Sequence, residues 1–421
     1  MEIAAKTNDK KTKILILGDD PRSPSGVGTQ IKYFIEYLDK TDKYEFIVLG
    51  GAVQHKNRNP VRFGKNTILF PVDGYGDAEI VRSIVREERP DILWFMTDPR
   101  FYEWLWIIEN EIRPLVPLVY YHVWDNLPIP WYNKIYYQSN DVIVSISKVT
   151  EQIVNAVVPD VKHVRIPHSV DPQIFHPIVT DRTNILPDIP KDAFVVFWNN
   201  RNARRKMSGS LIYWFKKFLD RVGHDKAVLL MHTDPKDMHG QDLFRIISDF
   251  GLDKGQVRLS HMCVTQEMLA LIYNSVDLTV NISDAEGFGL ATLESLSCGT
   301  PILVNQTGGL QEQVTDGRNK FGGLIPPASK ALVGSQQVPY IYEDRVGEQD
   351  FVNELYSLYK LWKNKREKYK EMGLKGHEHV LKNYNFEKVE KQWQTLIEDV
   401  VATKGSWENR KQYNNFDIIK F

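Results

Sequence analysis

Cysteine is almost missing from this chain. Two residues in 421, Cys263 and Cys298, are too few for a disulfide framework and fit a reducing compartment. Long apolar runs are missing as well. No stretch approaches 18 uninterrupted apolar residues, and the N-terminal MEIAAKTNDKKTK has no apolar core of signal-peptide length, so a soluble, cytoplasmic protein with no transmembrane segment is expected. Neither charge sign is in excess. Lys and Arg total 53 against 54 acidic residues, a net charge of -1, which excludes a globally nucleic-acid-binding or membrane-surface protein and leaves only local basic patches. There is no Asp-x-Asp pair, no His/Cys/Asp spacing suited to a metal, no Walker-type glycine loop and no Gly-x-Ser-x-Gly elbow. No metal and no cofactor is expected.

What is present is a repeated alternation. Short apolar, β-branched or aromatic runs at 13–17, 44–49, 67–70, 91–96, 117–121, 142–146 and 163–166 are separated by amphipathic stretches such as 29–38 and 78–88. The pattern then restarts at 194–198, 227–231, 256–259, 277–282 and 301–304, with helical stretches near 210–222 and 267–275. The link between the halves, 172–190, carries four prolines and reads as a hinge with a loop. An α/β protein of two Rossmann-like, doubly wound domains follows, with ligand sites at the carboxyl ends of both sheets facing each other across a cleft.

The stretch Ser283 to Pro301 (SDAEGFGLATLESLSCGTP) organises the second half. A strand runs into a glycine turn and then into a helix from about Leu290 to Ser297, so the free N–H groups of residues 287–291 point out of a helix start where the macrodipole also favours an anion. A phosphate is the natural occupant. Glu286 and Glu294 flank it, and acceptor-only carboxylates suit sugar hydroxyls. A ligand with phosphates between hydroxyl-bearing ends has the shape of a nucleotide sugar.

The string EGFGLATLE, followed by CGTPILV, Gly308-Gly309 and Glu312, resembles the donor-site signature of the retaining glycosyltransferases of family four, group 1, which share the GT-B fold. Arg165 to Phe175 (RIPHSVDPQIF) is similar to that family's passage at the domain junction, with His168 and Ser169 replacing Asn and Gly. Asn385 to Ile397 resembles its final helix, which crosses back to the first domain. The resemblance implies residues 1–175 with about 385–403 as an acceptor-side domain, 176–384 as the nucleotide-sugar donor domain, and 404–421 as a tail.

It also implies roles. Arg201 and Lys206, in the loop after the strand at 194–198, would hold the donor diphosphate and stabilise the charge that develops as it leaves. Met207 stands where the family has glycine. Glu286 would take the donor sugar's hydroxyls and Glu294 the ribose hydroxyls, with Gly287, Phe288, Gly289 and Leu290 forming the turn around the phosphates. The nucleobase would lie near His261. Gly26 and Gly28, after the first strand, resemble the family's glycine loop, and His122 its histidine near the transferred sugar. Asp125 is a candidate for orienting the acceptor. Trp124 belongs to an aromatic group that reads either as a sugar-stacking wall or as ordinary core and rim. The insertion from Ala328 to Asp344, absent from the family pattern, reads as a surface loop or, less favoured, as a loop that contacts the acceptor.

The function so implied is metal-independent, retaining transfer from a nucleoside-diphosphate sugar to an acceptor hydroxyl, the leaving phosphate taking the acceptor's proton. The acceptor stays open: a glycan, a lipid-linked carrier, a small molecule or a modified nucleic acid. Two other readings remain, a GT-B enzyme that remodels the sugar nucleotide as an epimerase does, and a catalytically silent protein binding a sugar nucleotide or nucleic acid.

Overall fold

A computed structural model describes residues 10–411; the polar N-terminal stretch before them and residues 412–421 of the tail lie outside the described residues. Each apolar run forms a strand. In the first half these are Thr12–Asp19 (β1), Tyr44–Gly51 (β2), Val61–Arg62 (β3), Thr67–Pro71 (β4), Ile92–Thr97 (β5), Leu118–His122 (β6), Val142–Ser145 (β7) and His163–Arg165 (β8). They make one sheet in the order β3-β4-β2-β1-β5-β6-β7-β8, with β3 antiparallel to β4 and the other pairings parallel. The second half supplies Phe194–Asn199 (β9), Ala227–His232 (β10), Val257–Ser260 (β11), Leu278–Asn281 (β12), Ile302–Asn305 (β13) and Gly322–Ile325 (β14), in the all-parallel order β11-β10-β9-β12-β13-β14.

Strand order decides where ligands can sit. β1 lies between β2 and β5, and β9 between β10 and β12, so the crossover direction reverses beside each of them. The loops leaving β1 and β9 therefore open at the topological switch points of the two sheets. The helices that follow start with defined caps. Ser25 caps Gly26–Lys40 by accepting from the N–H of Gly28 at 2.9 Å, whereas no side chain caps Leu290–Ser297 after Gly289.

The long helix Phe386–Lys404 packs on the first sheet. Trp393, 2% exposed, sets its ring against Phe34 at 5.2 Å, Trp94 at 5.7 Å and Tyr121 at 4.8 Å. Val389, Ile397 and Val400 lie buried in the same cluster, one apolar stripe at helical spacing. The described part of the tail follows it down, with the Trp407 indole donating to Pro90 O at 2.9 Å and Arg410 paired with Asp141 at 2.7 Å.

The insertion departs from the expected surface loop. Ser329–Val333 (β15) and Ile341–Arg345 (β16) pair as an antiparallel hairpin. Two short runs bearing Leu, Val, Ile and Tyr around Gly334-Ser335 have the composition of a hairpin, and β16 finds a partner surface on the first domain.

Candidate active site

The loop after β9 closes as a short turn over Arg204–Lys206 and reverses at Met207, whose φ of 59° and ψ of 33° are left-handed. Methionine thus keeps the backbone shape that glycine would adopt freely, at a cost of roughly 1–2 kcal/mol. The reversal turns the Lys206 ammonium inward, where it pairs with the Glu286 carboxylate from the loop after β12. Both side chains are nearly enclosed, at 10% and 13% exposure. Arg205 stands 3.8 Å from the same carboxylate and donates to Ala285 O at 2.6 Å.

Burial alone would raise the Glu286 pKa. The cations Lys206 and Arg205 outweigh it and hold the carboxyl down at about 2. Lys206 moves the other way: burial and the neighbouring Arg205 lower it to about 8 against the pull of Glu286. The result is a charged pair in a water-poor place, where electrostatic interactions are strong.

The first domain approaches this pair through the loop after β6. A Cβ placed on Gly287 would come 3.2 Å from Val123 O, and one on Gly308 would collide with Glu286 O at 1.9 Å and lie 3.1 Å from the Asp125 carboxylate. Gly308 sits at φ +45°, so glycine answers both a left-handed backbone and a close approach. Asp125 therefore lies beside the charged pair from the opposite side of the cleft. Burial pushes its carboxyl up to about 6, with Arg205 opposing and Glu286 adding to the rise. Across the same gap Gly26 faces Leu290, whose Cδ1 would stand 3.1 Å from an added Cβ, so the two helix starts meet. The N–H of Gly28 is already taken by Ser25, leaving the uncapped helix at Gly289 as the more open anion site.

Most of the other expected residues have partners of their own. Arg201 turns to the surface, 62% exposed, and forms a two-point pair with Asp237 at 2.6 and 3.2 Å. Glu294 accepts from the Tyr273 hydroxyl at 2.9 Å, and burial raises its carboxyl to about 7. His122 is fully buried, its Nε2 2.7 Å from the Tyr137 hydroxyl, and burial lowers it to about 3, which keeps the ring neutral. Its Nδ1 has no hydrogen-bond partner among the described residues. Trp124 is 6% exposed, donates to Asn126 O at 3.1 Å and meets Tyr132 edge-on. Phe288 is buried with its edge on His168 at 4.8 Å. His261 is exposed just beyond β11. Glu312 accepts from the N–H of Lys148, the first residue of the helix Lys148–Val157, at 2.6 Å. The chain thus brings together Lys206, Glu286, Gly287 and Asp125, and adds Arg205. Among four cations within six positions, no spacing in the sequence distinguishes Arg205.

Among the described residues no group of three or more His, Cys, Asp or Glu is placed to hold a metal ion, and no helix is long and apolar enough to cross a membrane.

Residues 199–335 match the family described as Glycosyl transferases group 1, and over them the resemblance read from the sequence is borne out. A D-inositol 3-phosphate glycosyltransferase of Arthrobacter sp. (strain FB24) is 29% identical over 44% of this chain and 43% of its own length. A D-inositol 3-phosphate glycosyltransferase 1 of Catenulispora acidiphila is 32% identical over 35% and 36%. The chain thus spans less than half the length of these curated relatives. Solved structures match nearly throughout. Sucrose-phosphate synthase from Thermosynechococcus elongatus superposes with a TM-score of 0.75 at 16% identity, covering 93% of this chain and all of that one. Anabaena HepE in complex with UDP and glucose gives 0.69 at 14%, covering 92% and 99%. The architecture is therefore GT-B.

Proposed function

We propose that this protein is a retaining glycosyltransferase that moves a sugar from a nucleoside-diphosphate sugar to an acceptor hydroxyl. The observation that carries the reading is the buried Lys206–Glu286 pair, set beside an uncapped helix start and faced by Asp125 from the other domain. The group 1 match over the same segment and the UDP and glucose named with the Anabaena neighbour support a sugar nucleotide as donor.

In this reading the diphosphate lies against the N–H groups after Gly289 and gives Lys206 a second anionic partner, with Arg205 adjacent. Glu286, relieved of part of its ion pair, accepts from hydroxyls of the donor sugar. Glu294 does the same for the ribose, with its position set by Tyr273. The bond from the anomeric carbon to the diphosphate oxygen breaks as the bond to the acceptor oxygen forms on the same face. The acceptor's proton passes to the leaving diphosphate, so the products are the glycoside and a nucleoside diphosphate. Charge at the leaving oxygens is met by Lys206, Arg205 and the helix start, which is where preorganised donors lower a barrier most; metal independence is part of the proposal.

The test is thermal stabilisation by UDP-, GDP-, ADP- and TDP-sugars, with Glu294→Ala as the control. A ligand that binds the folded state alone raises the unfolding midpoint by mass action. One base stabilising the wild type and failing with the variant is expected. Absence of any shift, together with no consumption of any of these donors, would refute the reading.

A further inference from the structure

By chain position the hairpin Ser329–Arg345 belongs with the second sheet, yet it is docked on the first domain. The Tyr132 hydroxyl donates to Tyr340 O at 2.9 Å, and the two rings meet edge to face at 4.9 Å. The N–H of Tyr342 donates to Leu127 O, and Val338, 7% exposed, packs into the first domain's core. The other edge is tied to the second domain. Asn305 Nδ2 donates to Asp344 O at 2.7 Å, the N–H of Asp344 donates to Asp284 O at 2.8 Å, and Arg204 of the β9 loop pairs with Glu343. Held from both sides, the hairpin is a fixed wall.

Behind that wall is a cavity of about 240 Å³ whose lining includes Asp125, Asn126, Gln306, Gln311, Lys330 and Asp344. Asp125 also borders the Lys206–Glu286 pair, so the cavity adjoins the transfer site. Its polar side chains are two carboxylates, three amides, the hydroxyls of Thr307 and Tyr342, and one ammonium, and the ammonium of Lys330 is engaged by Asp344 at 3.4 Å. Amides and carboxylates between them satisfy hydroxyls as both donors and acceptors. Two carboxylates against one paired cation oppose an anionic guest.

We propose that the hairpin completes the acceptor pocket and that this pocket takes the neutral, polyhydroxylated end of a sugar or polyol, not a sugar phosphate. The inference rests on the glycosyl-transfer reading. Two amides, Gln306 and Gln311, come from the second domain, and Asn126 from the first, so the acceptor is gripped by both halves while Asp125 borders its reacting hydroxyl.

The experiment uses the full chain, Asp344→Asn and Gln311→Ala, each checked as folded by circular dichroism. Transfer from the donor identified by stabilisation is measured to two matched pairs, glucose with glucose 6-phosphate and myo-inositol with its 1-phosphate. The wild type is expected to favour the neutral member of a pair about tenfold or more in kcat/KM, and Asp344→Asn to shrink that preference about tenfold, the effect of removing one nearby charge. Gln311→Ala is expected to raise the acceptor KM more than the donor KM. Preference for the phosphorylated members, or variants with unaltered acceptor preference and KM, overturns the proposal. If the wild type consumes no donor, the transferase reading itself has failed; binding of myo-inositol and its 1-phosphate, followed by ligand-observed NMR, then decides the pocket. Neutral-polyol binding lost in Gln311→Ala supports it, and binding that is equal in wild type and variant, or absent from both, overturns it.

Discussion

The two walls of the cleft are made from the same kind of parallel sheet and treat their polar groups in opposite ways. The second domain presents charge: Lys206, Arg205 and Glu286 gather at the end of β9 and β12, and Glu286 stays ionised despite burial because two cations face it. The first domain keeps its two buried histidines near the cleft neutral. His122 lies against Tyr137 and His168 against Tyr121, both rings lowered to about 3 by burial and so uncharged. Beside the transfer site one wall gathers charge around Glu286, whereas on the other Asp125 is the charged group that borders the pair, the first domain's Asp20–Arg22 ion pair lying in the β1 loop. The lesson is that equal topology sets where loops open, while the side chains packed beneath each loop decide what it can carry.

The largest effect that would sharpen this contrast is structural. Trp393→Ala is expected to cost about 3–5 kcal/mol of stability, because the residue fills a site between three aromatic rings of the first domain. Chemical denaturation measures it, and a loss below about 1 kcal/mol would show that the returning helix is not what consolidates that wall.

Next in size, and aimed at the other wall, Lys206→Ala should lower kcat by about 10²–10³-fold, the effect of removing one preorganised donor at a developing charge. Arg201→Ala should cost less than about tenfold, since its guanidinium is committed to Asp237 at the surface, where an ion pair contributes only about 0–1 kcal/mol. Steady-state kinetics on both variants settle it; equal losses would mean that Arg201 swings from Asp237 onto the donor.

The two carboxylates of the second domain should leave opposite marks on stability against pH. For Glu294 the folded pKa of about 7 lies above its ordinary 4.5, so the folded state binds the extra proton and stability falls as pH rises from about 4.5 to about 7. For Glu286, held at about 2, stability is present above 4.5 and is lost as pH falls toward 2. Glu294→Gln should remove the first slope and keep the second, read from urea unfolding across a pH series. His122 contributes no break in activity near pH 6.5, because burial keeps it neutral throughout that range. The smallest change is Met207→Gly, which relieves left-handed strain but frees the unfolded chain; a net gain of at most about 1 kcal/mol is expected from the unfolding midpoint.

Much of the fold was legible in the residues. Twelve apolar runs named from periodicity all became strands, because parallel strands buried on both faces read as continuous β-branched and aromatic segments. The short β3 and the glycine-rich β14, Gly322–Ile325, carry too little of that signal to be seen. The insertion's modest apolar content makes it read as a loop; what stabilises it as a hairpin is a docking surface some 200 positions earlier in the chain. At the site, the glycine turn and Glu286 were plain from local pattern. The choice of Arg205 over Arg201 as the neighbour of Lys206 was not, since it depends on how one turn reverses at Met207 and on Asp237 waiting after β10.

By itself, then, the sequence determined the alternation of strands and helices, the two-sheet plan and the uncapped helix start after Gly289, all of which follow from short-range periodicity, propensity and turn chemistry. Tertiary structure alone decided which cation meets Glu286, that His122 is sealed and neutral, and that the hairpin of one domain closes a cavity on the other. Those outcomes are set by burial and by partners far apart in the chain, and desolvation is a property of the packed molecule that no local stretch of residues encodes.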